Sequence, residues 1–187
     1  MRGLIHNLPR CLVALTFILA PFHAAVGAQT QTLTITATGQ IPASCGLVAT
    51  SGFSAANLDA NGSSSATAAV NCNTKYVLKA VSANGGLKTT TPVSSASFSN
   101  KLDYQFTISV PLDNGAGTLS GSCGASNLTA GAGFCALSPA GAGLSSGGRT
   151  STGKTATLGI NWTLPVSTHL IAGSYTDIIT ISIAAQP

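Results

Sequence analysis

Two stretches of the chain alternate apolar and polar residues with a period of two, which is typical of a strand with one buried face. In residues 102–110 and again in residues 156–164, every even position is apolar. The C-terminal stretch, residues 175–184, alternates Ile179, Ile181 and Ile183 with hydroxyl residues. Ile178 adds an apolar position there, which predicts cover on both faces over part of the strand.

Shorter strands are predicted over residues 66–72 and 76–82, the second ended by the turn signal Asn84-Gly85-Gly86. Several strands with one apolar face each are most simply buried as two sheets packed face to face. The pattern therefore predicts an all-β sandwich.

Residues 32–41 form a further alternating stretch ahead of the first cysteine. Its apolar face carries five positions: Leu33, Ile35, Ala37, Gly39 and Ile41. Pro42 follows and separates it from the rest, because proline lacks the N–H that a central strand needs and holds its predecessor extended. Two interpretations stay open: a strand mechanically independent of the domain, or the first strand of the sandwich.

Composition supports a single β-domain. The chain has 187 residues, only 6% of them charged, and no Glu, which excludes long solvated helices. Arg2 and Arg10 precede an apolar run, residues 11–20, and small residues follow up to Ala28. This is the pattern of a signal peptide over residues 1–28, and the run is too short for a membrane anchor. We therefore expect export, with no membrane span after cleavage.

Removal of the leader leaves a net charge of about +2, and the remaining cations are scattered along the chain. The electrostatic footprint of a nucleic-acid-binding protein is missing. Four cysteines remain, which in an oxidising compartment indicates two disulfides. Of the three possible connectivities we favour the sequence-local one, Cys45 with Cys72 and Cys123 with Cys135. With no C-x-x-C pair and His169 as the single histidine left, we expect neither a metal nor another cofactor.

Residues 113–154 are rich in Gly, Ala and Ser. We interpret them as a surface excursion stapled by the second cysteine pair, with one short strand near residues 117–120. Within them, residues 148–155 match the phosphate-binding pattern G-x-x-x-x-G-K-[ST]. That pattern requires a strand before it and a helix after it, whereas an alternating strand follows here. Together with a lone histidine and no nucleophile elbow, this predicts that the protein is not an enzyme.

Short motifs distributed along the mature chain carry a resemblance to a known family. They are the ten residues Thr-Ala-Thr-Gly-Gln-Ile-Pro-Ala-Ser-Cys ending at Cys45, Asn71-Cys72-Asn73 with Tyr76, residues 82–87, Leu102-Asp103-Tyr104, and the Gly-x-Tyr-x-Asp sequence of residues 173–177. In these the chain resembles the spore coat protein U family, which includes subunits of archaic, Csu-type chaperone–usher pili.

The resemblance implies an incomplete immunoglobulin-like β-sandwich over residues 43–187 that lacks its last strand. A periplasmic chaperone first fills the resulting groove, and the N-terminal strand of a neighbouring subunit then replaces it. Residues 29–42 are the implied donor segment, with Leu33, Ile35, Ala37, Gly39 and Ile41 as donor positions. By analogy, the implied acceptor groove includes Tyr175, Ile179, Ile181 and Ile183.

The leading hypothesis is thus a pilus subunit, alone or with other pilins, that passes from the periplasm through an outer-membrane usher to the cell surface. Its role there is adhesion and biofilm formation. One alternative is a secreted coat or matrix protein whose N-terminal strand completes its own sheet. Another is a carbohydrate-binding module that uses residues 113–154, in which Phe134 is the only aromatic ring.

Overall fold

The computed structural model describes residues 36, 38–54 and 57–186; the leader predicted over residues 1–28 lies outside them. Residues 40–187 form one compact unit. Its strands are β1 (Cys45–Ala49), β2 (Gly62–Cys72), β3 (Tyr76–Ser82), β4 (Leu87–Lys88), β5 (Phe98–Ser99), β6 (Lys101–Leu102), β7 (Tyr104–Pro111), β8 (Thr118–Gly124), β9 (Leu144–Ser145), β10 (Ser151–Trp162), β11 (His169–Leu170) and β12 (Ile179–Ala185). Short 3₁₀ helices lie at Asp113–Gly115 and Ala125–Leu128.

Two antiparallel sheets make up most of the unit. The larger has the order β1-β2-β10-β7-β8, and the smaller has the order β12-β3-β9. The two-residue pairs β4-β6 and β11-β5 lie outside these sheets. The all-β class predicted from the alternation is confirmed.

The two cleanest alternating stretches form strands, as predicted, and the structure places these strands next to each other inside the larger sheet. Strands β7 and β10 pair antiparallel, with Phe106 opposite Ile160 and Ile108 opposite Leu158. The even-numbered side chains of β7, and those from Ala156 to Trp162 in β10, are buried. The strands predicted over residues 66–72 and 76–82 are also present, as the greater part of β2 and as β3.

The apolar faces of both sheets share one core. Tyr76 and Leu78 of the smaller sheet and Phe106 of the larger one are fully buried in it. Each such side chain contributes about 1.5–3 kcal/mol to folding. Trp162 closes one end of the core, and a Cβ at Gly62 would come within 2.6 Å of its ring, so only glycine fits there.

Both disulfides have the predicted connectivity. Cys45–Cys72 joins β1 to β2, and Cys123–Cys135 joins β8 to the segment that follows it. Stable disulfides of this kind indicate an oxidising, exported environment.

The prediction of a surface excursion over residues 113–154 is wrong, although the short strand predicted near residues 117–120 is present as part of β8. This part of the chain contains β8 and β9, and Leu128 and Leu137 lie fully within the core. The amide of Ala80 in β3 donates a hydrogen bond to the Leu137 carbonyl oxygen at 2.8 Å. Single apolar residues spaced by Gly, Ala and Ser show no periodicity, so burial of this segment leaves no pattern in the sequence.

The C-terminal strand starts at Ile179, four residues later than predicted. Ile178 lies before it and is 69% exposed, so the predicted cover on both faces is wrong. The reason is that Thr176 pairs with Lys88 instead of continuing along β3, and Asp177 bonds the turn after β3. The chain joins the sheet only after these contacts.

The predicted strand over residues 32–41 is described only in part. Leu33, Ile35 and Ala37 lie outside the described residues. Gly39 and Ile41 are exposed and belong to no strand. The first strand of the larger sheet is β1, a five-residue element that the alternation analysis missed.

Candidate functional site

An apolar groove runs between the two sheets where their edge strands β1 and β12 approach each other. It has a volume of about 490 Å³. Each of these edge strands pairs on one side only within the described residues, β1 with β2 and β12 with β3. The groove therefore joins an apolar cavity to two strand edges whose outer backbone groups have no strand partner there.

The floor of the groove comes from β2 and β10. Both strands alternate, and their inward residues at this level are two alanines and two larger aliphatic residues: Ala66, Ala68, Leu158 and Ile160. The alanines leave space that longer side chains would fill. The walls are apolar as well, and come from β1, the following loop and β12: Leu47, Ala49, Phe53, Leu58, Ile179 and Ile181.

The isoleucines of β12 are less buried than their neighbours in the same sheet. In β3 every second side chain is buried, from Tyr76 to Ser82. In β12 the corresponding inward positions Ile179, Ile181 and Ile183 are only half-buried. Since the two strands pair along their whole length, the difference comes from what lies beyond the outer edge of β12.

A partly buried polar cluster around Asp177 closes one end of the groove. The hydroxyls of Ser82 and Tyr104 each donate to Asp177 Oδ2 at 2.6 Å. The backbone amides of Asn84 and Ile178 donate to Oδ1 at 3.0 and 2.8 Å. Burial raises the pKa of Tyr104, and the hydrogen bond to the Asp177 carboxylate raises it further. The cluster fixes the start of β12 against β3 and β7.

The residues just before Asp177 position the same wall. The Tyr175 hydroxyl lies 2.8 Å from the Ile171 carbonyl oxygen and 3.1 Å from that of Ser99, so it can donate to either. Gly173 passes so close to Thr89 that a Cβ would come within 2.6 Å of its Oγ1. The Gly-x-Tyr-x-Asp sequence thus holds the chain where it enters β12.

The structure brings together three of the four residues predicted for an acceptor groove. Tyr175, Ile179 and Ile181 line the cavity, and Tyr175 does so from the chain before the strand. Ile183 lies farther along β12 and packs against the core without lining the cavity. Sequence reasoning missed Leu47, Phe53 and Leu58. The short apolar run Leu47-Val48-Ala49 was the available signal for the first of them.

The segment that matches a phosphate-binding loop has a different structure. Residues from Ser151 onward form β10, with a register shift between Ser151 and Lys154 and a positive φ at Gly153. Lys154 Nζ lies 3.2 Å from Asp113 Oδ1. The Thr150 hydroxyl and the Thr152 amide donate to Oδ2 at 2.7 and 3.0 Å. These bonds, that of Thr150 first, lower the pKa of Asp113 to about 2.

The residues considered for other chemistry lie apart from the groove. His169 is exposed in β11, with its ring centroid 6.2 Å from that of Phe98. Phe134 lies between the two cysteines of the second disulfide, Cys123 and Cys135, and is 86% exposed. Neither residue lines the apolar groove.

Comparison of the chain with protein-family models, with curated proteins and with solved structures finds no match in any of the three. Within residues 36, 38–54 and 57–186, no helix has the length and apolarity needed to cross a bilayer.

Proposed function

We propose that this protein is a structural subunit of a chaperone–usher pilus that polymerises by donor-strand exchange. Its domain is then an incomplete immunoglobulin-like sandwich, and the groove between β1 and β12 receives the N-terminal segment of a second copy. A periplasmic chaperone occupies the groove before assembly, and an outer-membrane usher passes the subunits to the cell surface. The fibre serves adhesion and biofilm formation.

The observation that carries the proposal is the apolar groove flanked by two strand edges. A strand placed there satisfies backbone donors and acceptors of the edges and covers the half-buried Ile179 and Ile181. Left open, the same groove exposes apolar surface and strand edges, a combination that favours aggregation. The site therefore suits an extended peptide with one apolar face.

The segment ahead of β1 has the required pattern. Residues 32–41 place Leu33, Ile35, Ala37, Gly39 and Ile41 on one face and Thr or Gln on the other. Ten extended residues reach about 33 Å, more than the length of β12. Each large apolar side chain that becomes buried adds about 1.5–3 kcal/mol, so several together make a strong complex.

The test uses the mature chain from residue 29, expressed with and without residues 29–41. We expect ladders on unboiled gels and fibres by electron microscopy, both lost on the deletion. Two single substitutions sharpen the result: Ile35→Asp on the apolar face abolishes the ladders, and Thr34→Asp on the opposite face leaves them. Equal effects of the two would contradict a strand inserted by one face.

A stable monomer that needs neither a chaperone nor a second copy would instead support the self-completed coat or matrix protein. Saturable glycan binding that is lost in Phe134→Ala, which removes an exposed ring and leaves the core intact, would support the carbohydrate-binding module.

A further inference from the structure

We infer that Asn73 is a positioning residue that directs the N-terminal segment away from its own domain and so makes it available to a second copy. This inference rests on the proposed function, because it concerns which groove the segment enters. It is carried by three hydrogen bonds at the start of β1.

Asn73 directly follows β2 and holds the three residues ahead of β1. Its side-chain Nδ2 donates to the Pro42 carbonyl oxygen at 3.0 Å, and its Oδ1 accepts from the Ser44 amide at 2.8 Å. The Asn73 backbone amide donates to the Ser44 carbonyl oxygen at 3.1 Å. Together these bonds continue the pairing of β1 with β2 beyond its last residue pair, Cys45 with Cys72.

These three hydrogen bonds of Asn73, called the clamp below, lie along the β2 edge of β1. Self-insertion would need the opposite edge. Strand β1 has β2 on one side, and the groove lies on its other side, towards β12. To enter its own groove, the segment would have to reverse direction within residues 42–44 and run back along the groove side. Bonds from Asn73 hold residues 42–44 in line with β1 on the β2 side, so reversal breaks them.

A second route into its own groove is too long for the chain. The start of β1 and the end of β12 share one end of the sandwich, because the turn after β2 contacts both Ser44 and Gln186. A segment antiparallel to β12 would end beside Ile179, about 20 Å away along the strand. The chain from Ile41 to Cys45 spans at most about 14 Å. Only the reversed hairpin remains, and the clamp opposes it.

The neighbouring residues agree with a segment that leads outward. Pro42 restricts Ile41 to extended conformations, which disfavours a tight reversal at that point. Ile41 is 86% exposed and does not line the groove. An exposed isoleucine in an extended segment is suited to contact another molecule.

The test compares the mature wild-type chain with Asn73→Ala after refolding over a range of protein concentrations. Hydrogen exchange of the β12 amides that face away from β3 distinguishes a filled groove from an open one, and native mass spectrometry separates monomers from oligomers. In the wild type we expect protection in oligomers only. In Asn73→Ala we expect about fivefold more monomer with protected β12, at a level independent of concentration, because intramolecular insertion is first order.

Two further variants keep the result specific. Asn71→Ala is the matched control and should behave as wild type, since within the described residues the side chain of this nearby asparagine accepts one hydrogen bond, from the Gly153 amide at 3.3 Å. Asn73→Asp keeps an acceptor for Ser44 but loses the donor to Pro42, and should fall between wild type and Asn73→Ala. It also serves if the alanine variant does not fold.

Equal distributions for wild type and both Asn73 variants, with oligomers still formed, would overturn the role of Asn73 and leave strand donation intact. Wild-type monomers with a protected β12 would also overturn it. If no variant forms oligomers or shows protection of β12, strand donation itself fails, and the role of Asn73 fails with it.

Discussion

The two sides of this sandwich solve the same packing problem differently. On one side the edges β8 and β9 approach each other, and the chain itself fills the space with Leu128 and Leu137. On the other side the edges β1 and β12 border a groove, and Ile179 and Ile181 stay half-buried. We refer to these as the closed side and the open side.

The closed side shows how tight the packing becomes when a segment is present. A Cβ at Gly121 would come within 2.9 Å of the Leu144 side chain and 3.2 Å of that of Leu137. On the open side, Ala66 and Ala68 line a cavity of about 490 Å³. Apolar residues face inward on both sides, so burial depends on whether a third element covers them. Within the described residues, the two sides therefore differ in the presence of a covering element and not in apolar character.

The largest effect is expected from truncating one aliphatic residue on each side. Leu137→Ala removes a fully buried side chain from a closed core and should lower the free energy of unfolding by about 3 kcal/mol. Ile181→Ala removes a half-buried side chain beside an existing cavity and should cost about half as much in the monomer. Urea unfolding of both variants with disulfides intact measures the difference.

The same pair then tests the open side in the assembled state. If a strand fills the groove, the cost of Ile181→Ala rises in oligomers, whereas the cost of Leu137→Ala stays the same. Equal costs of the two substitutions in the monomer would mean that the open side is already covered, and the contrast between the sides would be lost.

The strands with a clear alternation of apolar and polar residues could be predicted from the sequence. Strands β7 and β10 have long runs with every second residue apolar, and they form the centre of the larger sheet. The disulfide pairing is the sequence-local one that was favoured among three possible connectivities. Ile179 and Ile181, which the family resemblance implied as acceptor positions, line the groove, and their role there stays a prediction.

The closed side and much of the groove were not predictable, for a physical reason. Leu128 and Leu137 are buried through a disulfide and single tertiary contacts, not through a periodic element. Phe53 and Leu58 reach the groove from a loop, where neighbouring residues have no fixed angular relation. Side-chain burial in such segments depends on contacts distant in sequence, which a local pattern does not contain.

A smaller difference in stability is expected between phenylalanine substitutions at two buried tyrosines. Tyr104 lies at the open side, and Tyr76 lies between the sheets. Tyr104 donates to the Asp177 carboxylate at 2.6 Å, and Tyr76 shares a 2.8 Å hydrogen bond with the Ser151 hydroxyl. Bonds to charged groups are the stronger ones, so Tyr104→Phe should cost about 2 kcal/mol and Tyr76→Phe about 1 kcal/mol. Thermal unfolding of both variants gives the comparison.

The two tyrosine substitutions should also differ in which part of the structure they destabilise. Loss of the Tyr104 hydroxyl weakens the contact that holds the start of β12, so amide exchange at Ile179 should accelerate in Tyr104→Phe. Tyr76→Phe leaves that contact intact and serves as the control. Faster exchange at Ile179 in both variants would show that the Asp177 cluster has no special role at the open side.

The smallest expected effect concerns acid stability near the closed side, where Asp113 holds the start of β10. Its pKa is about 2 in the folded chain against an ordinary value of 3.8, because Thr150, Thr152 and Lys154 stabilise the carboxylate. The unfolded chain therefore binds a proton at higher pH than the folded chain. The stabilisation from Asp113 is fully present above about pH 4 and is lost as pH falls towards 2.

Asp113→Asn removes this ionisation, so its urea midpoint should fall less than that of the wild type between pH 4 and pH 2. Asp103→Asn, at the exposed contact with Lys101, controls for the general loss of negative charge. If the two variants flatten the acid dependence equally, the effect comes from net charge and not from the bonds that tie Asp113 to β10. If only Asp113→Asn flattens the acid dependence, the Asp113 carboxylate specifically holds the start of β10 on the closed side. Asp177 has the corresponding position at the start of β12 on the open side. In that case the starts of β10 and β12 each depend on one aspartate that is bonded to backbone and hydroxyl donors.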